Sequence, residues 1–164
     1  IDTAVVYPGM ALLEGTTISE GRGTTRPFEI FGMPGIDPYD LASALEKEQL
    51  PGVKFRPLSF IPTFQEHQGR ICGGAQLHVI DRNSFLPVLT AVAVIKTISQ
   101  RYPEIFAWKK PPYEYEVEKL PIDILAGSDR LRLHLEAGTS LEEIARSWEE
   151  GREAFLRKRQ PYLL

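Results

Sequence analysis

Apolar residues recur along this chain at spacings that change several times, and each change predicts an element. Residues Thr3–Glu14 hold two apolar runs, Ala4-Val5-Val6-Tyr7 and Met10-Ala11-Leu12-Leu13, split by Pro8-Gly9, and are expected to be short buried extended segments. Asp37 then caps a helix opened by Pro38, with Leu41, Ala44 and Leu45 as its apolar stripe and Pro51-Gly52 beyond its end. Val53, Phe55, Leu58 and Phe60 predict a strand over 53–60, which Pro57 restricts to a sheet edge or a bulge. A loop is expected from Pro62 to Gly69. Strict alternation over 71–80 places Ile71, Gly73, Ala75, Leu77 and Val79 on one face and Cys72, Gly74, Gln76, His78 and Ile80 on the other, a strand with one polar face.

Helical spacing returns at Val88, Val92, Ile95 and Tyr102, a buried helix that stops at Tyr102-Pro103. Pro121 opens a short helix through Ala126 that Gly127 terminates, and a second short helix fits 129–136. Ser140 and Glu143 form a capping box for a last helix whose apolar face is Leu141, Ile144, Trp148, Gly151 and Phe155. No internal repeat or low-complexity segment interrupts this order. The elements sum to an α+β fold, one mixed domain over 1–164 with about four strands and four or five helices.

Composition is that of a globular chain: 164 residues, 43% hydrophobic and 25% charged. A net charge of −3 at pH 7 argues against a nucleic-acid partner, whose footprint is a strongly basic face. The apolar stretch 85–95 is far short of the ~20 residues of a membrane span. The one cysteine, Cys72, forms no internal disulfide, and no cysteine-histidine spacing fits zinc, so neither a metal nor a cofactor is predicted. Cys72 and His78 lie some 20 Å apart along an extended strand and cannot form a nucleophile-base pair, which leaves Cys72 as a small buried residue. The chain starts at Ile1 without a targeting signal, as expected of a fragment or a processed chain.

The candidate chemistry concentrates in residues 14–26, which carry Glu14, Glu20, Arg22, Arg26, five hydroxyls and the glycines 15, 21 and 23. Glycine among charged residues marks a main chain that approaches something closely. Phosphate-binding signatures fail here: Glu20 stands where the second P-loop glycine belongs, and Arg26 follows Gly21 and Gly23 where a dinucleotide loop needs glycine or alanine. What remains is a binding loop in which Ser19, Gly21, Arg22, Gly23, Thr24, Thr25 and Arg26 offer backbone N–H groups, hydroxyls and guanidiniums to an anion or a polar ligand. The competing reading is a rigid turn in which Glu20 pairs with Arg22 or Arg26. Phe106, Trp108, Tyr113 and Tyr115 alternate with charges in 106–116 and suit either sugar stacking or a cover over the core, the tyrosines favouring the former. His67 on its loop and His78 on the polar strand face are candidates for ligand contact, whereas His134 reads as structural or exposed.

The segment Tyr7-Pro-Gly-Met-Ala-Leu-Leu-Glu-Gly-Thr-Thr-Ile-Ser-Glu-Gly-Arg-Gly-Thr-Thr-Arg-Pro-Phe-Glu29 resembles the signature of the exo-β-N-acetylmuramidase family, bacterial glycoside hydrolases long catalogued as a domain of unknown function. Further matches are Phe55-Arg-Pro, Phe60-Ile-Pro-Thr-Phe64, Cys72-Gly-Gly, His78-Val, Pro121-Ile-Asp-Ile-Leu-Ala-Gly127 and Tyr162-Leu-Leu164. The resemblance spans nearly the whole chain and implies the C-terminal domain of a two-domain protein, preceded by a Rossmann-like domain. Such proteins release N-acetylmuramic acid from the non-reducing end of peptidoglycan fragments. The expected partners are therefore a peptidoglycan-derived sugar and that upstream domain, across a cleft whose best catalytic carboxylate candidate belongs to the latter. The fragment alone is then expected to be inactive. The compartment stays open, periplasmic or secreted among the options.

On the same resemblance, Arg22 with the backbone of 21–25 fits the lactyl carboxylate of muramic acid. Glu14 and Glu20 bind sugar hydroxyls or supply a second carboxylate, binding being favoured over catalysis. A non-catalytic cell-wall carbohydrate-binding or protein-interaction module is the alternative. Two positions depart from the family pattern: Gly35 stands where an aromatic is usual and Thr17 where asparagine is frequent.

Overall fold

The computed structural model describes residues 1–163. Its sheet has three strands: β1 (Ile30–Met33), β2 (Val53–Phe60) and β3 (Cys72–Val79). They are antiparallel in the order β1-β3-β2. Proline lacks the N–H that a central strand would need, and Pro57 duly lies on the edge strand β2. Gly73 and Gly74 make β3 thin where it is most crowded: a Cβ on Gly73 would lie 2.0 Å from the Ile36 carbonyl oxygen, and one on Gly74 would lie 1.9 Å from that of Phe31.

Among the described residues, seven α-helices flank this sheet, and the one spanning Pro38–Lys47 packs directly on β2 and β3. They are α1 (Asp2–Met10), α2 (Pro38–Lys47), α3 (Pro87–Arg101), α4 (Pro121–Leu125), α5 (Arg130–Glu136), α6 (Leu141–Ser147) and α7 (Glu149–Arg159). Short 3₁₀ turns at Ala11–Gly15 and Gln160–Tyr162 complete the described chain. Asp37 accepts hydrogen bonds from the N–H groups of Tyr39 and Asp40, and Ser140 with Glu143 closes the capping box of α6, both as expected. Helix α3 is buried from Thr90 to Ile95 and again at Thr97 and Ile98, and forms the centre of the core. Phe31 of β1 is fully buried and meets Phe55 of β2 edge to face at 6.2 Å. Burying one such side chain contributes roughly 1.5–3 kcal/mol.

Four expectations need correction. The extended segments expected over 3–14 are helix α1 and the following 3₁₀ turn: Val6, Gly9, Met10 and Leu13 are buried, a helical rather than an alternating spacing. Gly9 permits this packing, because a Cβ there would lie 1.9 Å from the Pro87 carbonyl oxygen at the start of α3. Strand β1 takes the place of the strands expected there, giving three strands and seven α-helices among the described residues. Strand β3 has no polar face until His78: it is the central strand, and Cys72, Gly74 and Gln76 are all buried. In α2, Ala42 rather than Ala44 joins Leu41 and Leu45 in the core.

The final helix is two helices. They meet at Trp148 (φ −93°, ψ −14°), whose indole packs partly buried against the core. Helix α7 buries nothing, and Phe155 is 60% exposed. Beyond Trp148 only Phe155 and Leu156 among the residues of α7 are large and apolar, too little area to hold a charged helix against the core.

Candidate functional site

Residues 14–26 lie over the edge of the sheet and are tied down from three directions. Ser19 and Gly32 of β1 exchange backbone hydrogen bonds at 2.9 and 3.0 Å. Thr63 donates from its N–H (3.1 Å) and its hydroxyl (2.9 Å) to the Gly23 carbonyl, fixing the loop to segment 61–70. Thr17 ties the loop both to segment 61–70 and to Ala107. Its N–H donates to the Ala107 carbonyl at 2.9 Å, its hydroxyl oxygen accepts from the Ala107 N–H at 2.9 Å, and its carbonyl accepts from His67 Nε2 at 2.7 Å.

Two glycines allow the turn. Gly21 has φ +77° and Gly23 φ +83°, in the left-handed region where a side chain is strained. Gly21 also rests on β1: a Cβ there would lie 2.4 Å from the Ile30 carbonyl oxygen. Within the turn the Gly21 N–H is capped by Ser19 Oγ (3.2 Å), and Thr24 Oγ1 donates to the Gly21 carbonyl (2.6 Å) while accepting from the Arg26 N–H (3.2 Å). The N–H groups of Arg22, Gly23 and Thr25 have no partner among the described residues.

The side chains form two ion-paired clusters. Arg22 donates from Nε to Glu20 Oε1 at 2.7 Å and from Nη2 to Glu14 Oε1 at 2.8 Å. Its guanidinium carbon sits 5.6 Å from the centroid of the Phe28 ring, a cation-π contact backed by the edge of Tyr7 at 4.8 Å. The hydrogen bond to Glu20, set against partial desolvation and joined by the charges of Glu14 and Glu20, holds the Arg22 pKa above its ordinary value. Glu14 also accepts from the Tyr113 hydroxyl at 3.2 Å, and burial together with the Glu14 carboxylate pushes that phenol up to about 12. In the second cluster the buried Glu29 accepts from Arg26 (3.0 Å) and from the Thr3 hydroxyl (2.7 Å).

The expected ion pair between Glu20 and Arg22 is therefore present. Glu20 is 3% exposed and turned inward, so Glu14 is the more accessible of the two carboxylates. With Nε and Nη2 engaged, Arg22 keeps only part of its guanidinium for an incoming anion. Ser19 is buried beneath the turn, while Thr25 and Arg26 are exposed.

Tyr113 joins the cluster, whereas Tyr115 is 99% exposed and Phe106 and Trp108 pack on the core edge to face at 5.1 Å. His67 binds the loop backbone and adopts φ +59°. His78 is exposed on β3 opposite Lys54, with no hydrogen bond to the loop. His134 Nδ1 faces Thr139 Oγ1 at 3.3 Å, so no histidine reaches Cys72, whose thiol burial pushes up to about 11.

Sequence reasoning missed Thr3, Tyr7, Phe28, Glu29 and Thr63 in this site. The spacing of Arg26 and Glu29 was a readable local signal; the others arrive through tertiary contacts.

A cavity of about 1300 Å³ lies elsewhere, between Pro8 and Leu12, the start of α3, and Leu125, Leu131 and Trp148. Its walls are mostly apolar and include none of residues 14–26, so size and chemistry point to different places. We place the candidate site at the loop, where carboxylates, a guanidinium, a phenol and free N–H groups converge.

A small antiparallel sheet, flanking helices and a polar glycine-rich loop docked on the sheet edge define an α+β domain. The chain belongs to the C-terminal domain family of the exo-β-N-acetylmuramidase NamZ, whose model matches residues 5–164. It is 44% identical over its full length to the peptidoglycan β-N-acetylmuramidase NamZ of Bacillus subtilis (strain 168). The fold is shared with two DUF1343 family proteins of Bacteroides fragilis. One has a TM-score of 0.82 at 25% identity over 98% of this chain, the other 0.65 at 22% over 99%. This chain spans about two fifths of these relatives, 38% of the B. subtilis protein and 41% and 40% of the B. fragilis proteins. Among the described residues no helix is long and apolar enough to cross a membrane.

Proposed function

We propose that this chain is the substrate-clamping domain of a two-domain, peptidoglycan-processing exo-β-N-acetylmuramidase that hydrolyses non-reducing terminal N-acetylmuramic acid. An upstream Rossmann-like domain supplies the opposite wall of the cleft and the principal catalytic carboxylate. The observation that carries this reading is the cluster Glu14–Arg22–Tyr113, held at the surface beside unpartnered backbone N–H groups in a chain of this family.

Sugar hydroxyls are donors and acceptors at once, and a surface of fixed carboxylate, phenol and N–H groups complements them. Glu14 and Tyr113 contact the substrate in this role, with the backbone of 22–25 beside them. Glu20 holds Arg22 in place. Both carboxylates already accept hydrogen bonds from Arg22, an arrangement that suits binding and orientation rather than cleavage. Glycoside hydrolysis commonly needs two carboxyl groups, and Glu14, the more accessible of the pair, is our candidate to work with a carboxylate from the other wall.

The test is release of chromophore from an aryl β-N-acetylmuramide by the full-length parent, with the matching glucosaminide as control. Release from the muramide alone supports the proposal. Binding of cell-wall sugar without release from either substrate favours a non-catalytic carbohydrate-binding module instead.

A further inference from the structure

The clusters of the loop leave one requirement of the proposed substrate unmet. N-acetylmuramic acid carries a carboxylate, yet Glu14, Glu20 and Arg22 together bear a net negative charge, and Arg26 is neutralised by Glu29. A second anion is repelled there unless a cation stands nearby that is not already paired.

One such cation stands beside the loop on the sheet. Arg56 of β2 is exposed and has no carboxylate partner among the described residues, whereas Lys54 is paired with Glu46 and Lys109 with Glu66. Arg56 Nη2 donates to Gln76 Oε1 at 2.5 Å, which fixes the guanidinium while leaving most of its planar donor fork free. Gln76 is only 9% exposed, and its Nε2 amide group makes no hydrogen bond among the described residues. No polar side-chain atom of the described residues is both buried and unpaired, so this amide reaches the surface.

The register places the pair. Gln76 is opposite Ile30 on one side and Arg56 on the other, so all three side chains leave the same face of the sheet. Two inter-strand spacings separate Ile30 from Arg56, roughly 10 Å. Gly21 packs on Ile30, its ideal Cβ position 3.2 Å from the Ile30 Cβ, so the loop rises at one end of this row and Arg56 stands at the other.

We infer that Arg56 and Gln76 form the receptor for the substrate's carboxylate, the guanidinium donating to it in bidentate fashion and the Gln76 amide adding a third donor, while the loop takes the sugar hydroxyls. The assignment rests on the proposed function. It divides the site into a loop end for neutral polar groups and a sheet end for the anion, and makes Arg56 the residue that tells muramic acid from glucosamine.

The test compares full-length wild type, Arg56→Ala and Arg56→Lys on an aryl β-N-acetylmuramide and on its lactyl methyl ester, which lacks the charge. Wild type is expected to prefer the free acid. In Arg56→Ala that preference, as a ratio of kcat/KM values, falls about 10- to 100-fold, the effect of losing a charge-assisted pair of hydrogen bonds, with partial recovery in Arg56→Lys. Thermal unfolding close to that of wild type confirms that the exposed substitution leaves the fold in place. An unchanged ratio in Arg56→Ala, or a wild type indifferent to the ester, overturns the inference. A wild type that releases nothing from either substrate overturns the proposed function instead.

Discussion

The hydroxyl of Tyr113 donates to Oε2 of Glu14 at 3.2 Å across 99 positions of sequence, and this contact brings the aromatic arm of 106–116 to the glycine-rich loop 14–26. Burial first, and the neighbouring Glu14 charge second, push the Tyr113 phenol up to about 12. A phenol with a raised folded-state pKa favours the native state fully below its ordinary value near 10, and the advantage is lost as pH rises toward 12. Ultraviolet titration of the phenolates should therefore lose a late-ionising group in Tyr113→Phe, the remaining late one being Tyr102, also near 12. An unchanged late phase in the variant would rule out the contact.

Arg22 is the shared partner of two carboxylates, one of them buried. Arg22→Ala should destabilise the domain by about 2 kcal/mol, less than for a fully buried pair because the guanidinium is partly exposed. Adding Glu20→Gln should recover part of that loss, since the buried charge disappears with its partner. Urea unfolding of the two variants decides it; a double variant less stable than the single one contradicts the pairing.

His67 combines a hydrogen bond to the Thr17 carbonyl with a left-handed backbone, φ +59°. His67→Ala loses the bond and keeps the strain, at about 1–2 kcal/mol. His67→Gly loses the bond but relieves the strain, and should melt higher than the alanine variant. The reverse order in calorimetry would show that the loop does not hold this conformation.

Gly21→Ala meets two obstacles, a φ of +77° and the Ile30 carbonyl oxygen 2.4 Å from the new Cβ. The left-handed backbone alone costs about 1 kcal/mol, and relieving the contact must move the loop off β1. In the full-length parent this variant should lose muramide turnover more than it loses stability, as followed by kcat/KM beside thermal unfolding. Wild-type turnover would exclude the loop from the site.

What could be read from the sequence was whatever neighbouring residues decide between themselves. Asp37-Pro38 and Ser140 with Glu143 specify their helix starts within four residues, and both starts are present. Residues 4–7 misled because an apolar run of that length fits a buried helix turn as well as a strand, and only packing against α3 selects the helix. Trp148 continued an apolar periodicity that the tertiary structure does not use beyond it. The site divides in the same way. Glu20 and Arg22 lie two residues apart and could be paired on paper, but Glu14 with Tyr113, Thr63 with Gly23 and Gln76 with Arg56 exist only once the sheet has formed.

The anchoring of Thr17 and Ser19 means that residues 14–26 are not a transplantable motif. Their glycines give no shape of their own in water, and the partners that choose one shape, Ala107, His67 and Gly32, come from distant parts of the chain. A synthetic peptide of this stretch would carry every functional group of the loop and sample them in countless arrangements, and grafting it onto another scaffold would carry over the chemistry without the geometry. Under the proposed function, recognition is a property of the whole domain that the loop merely displays.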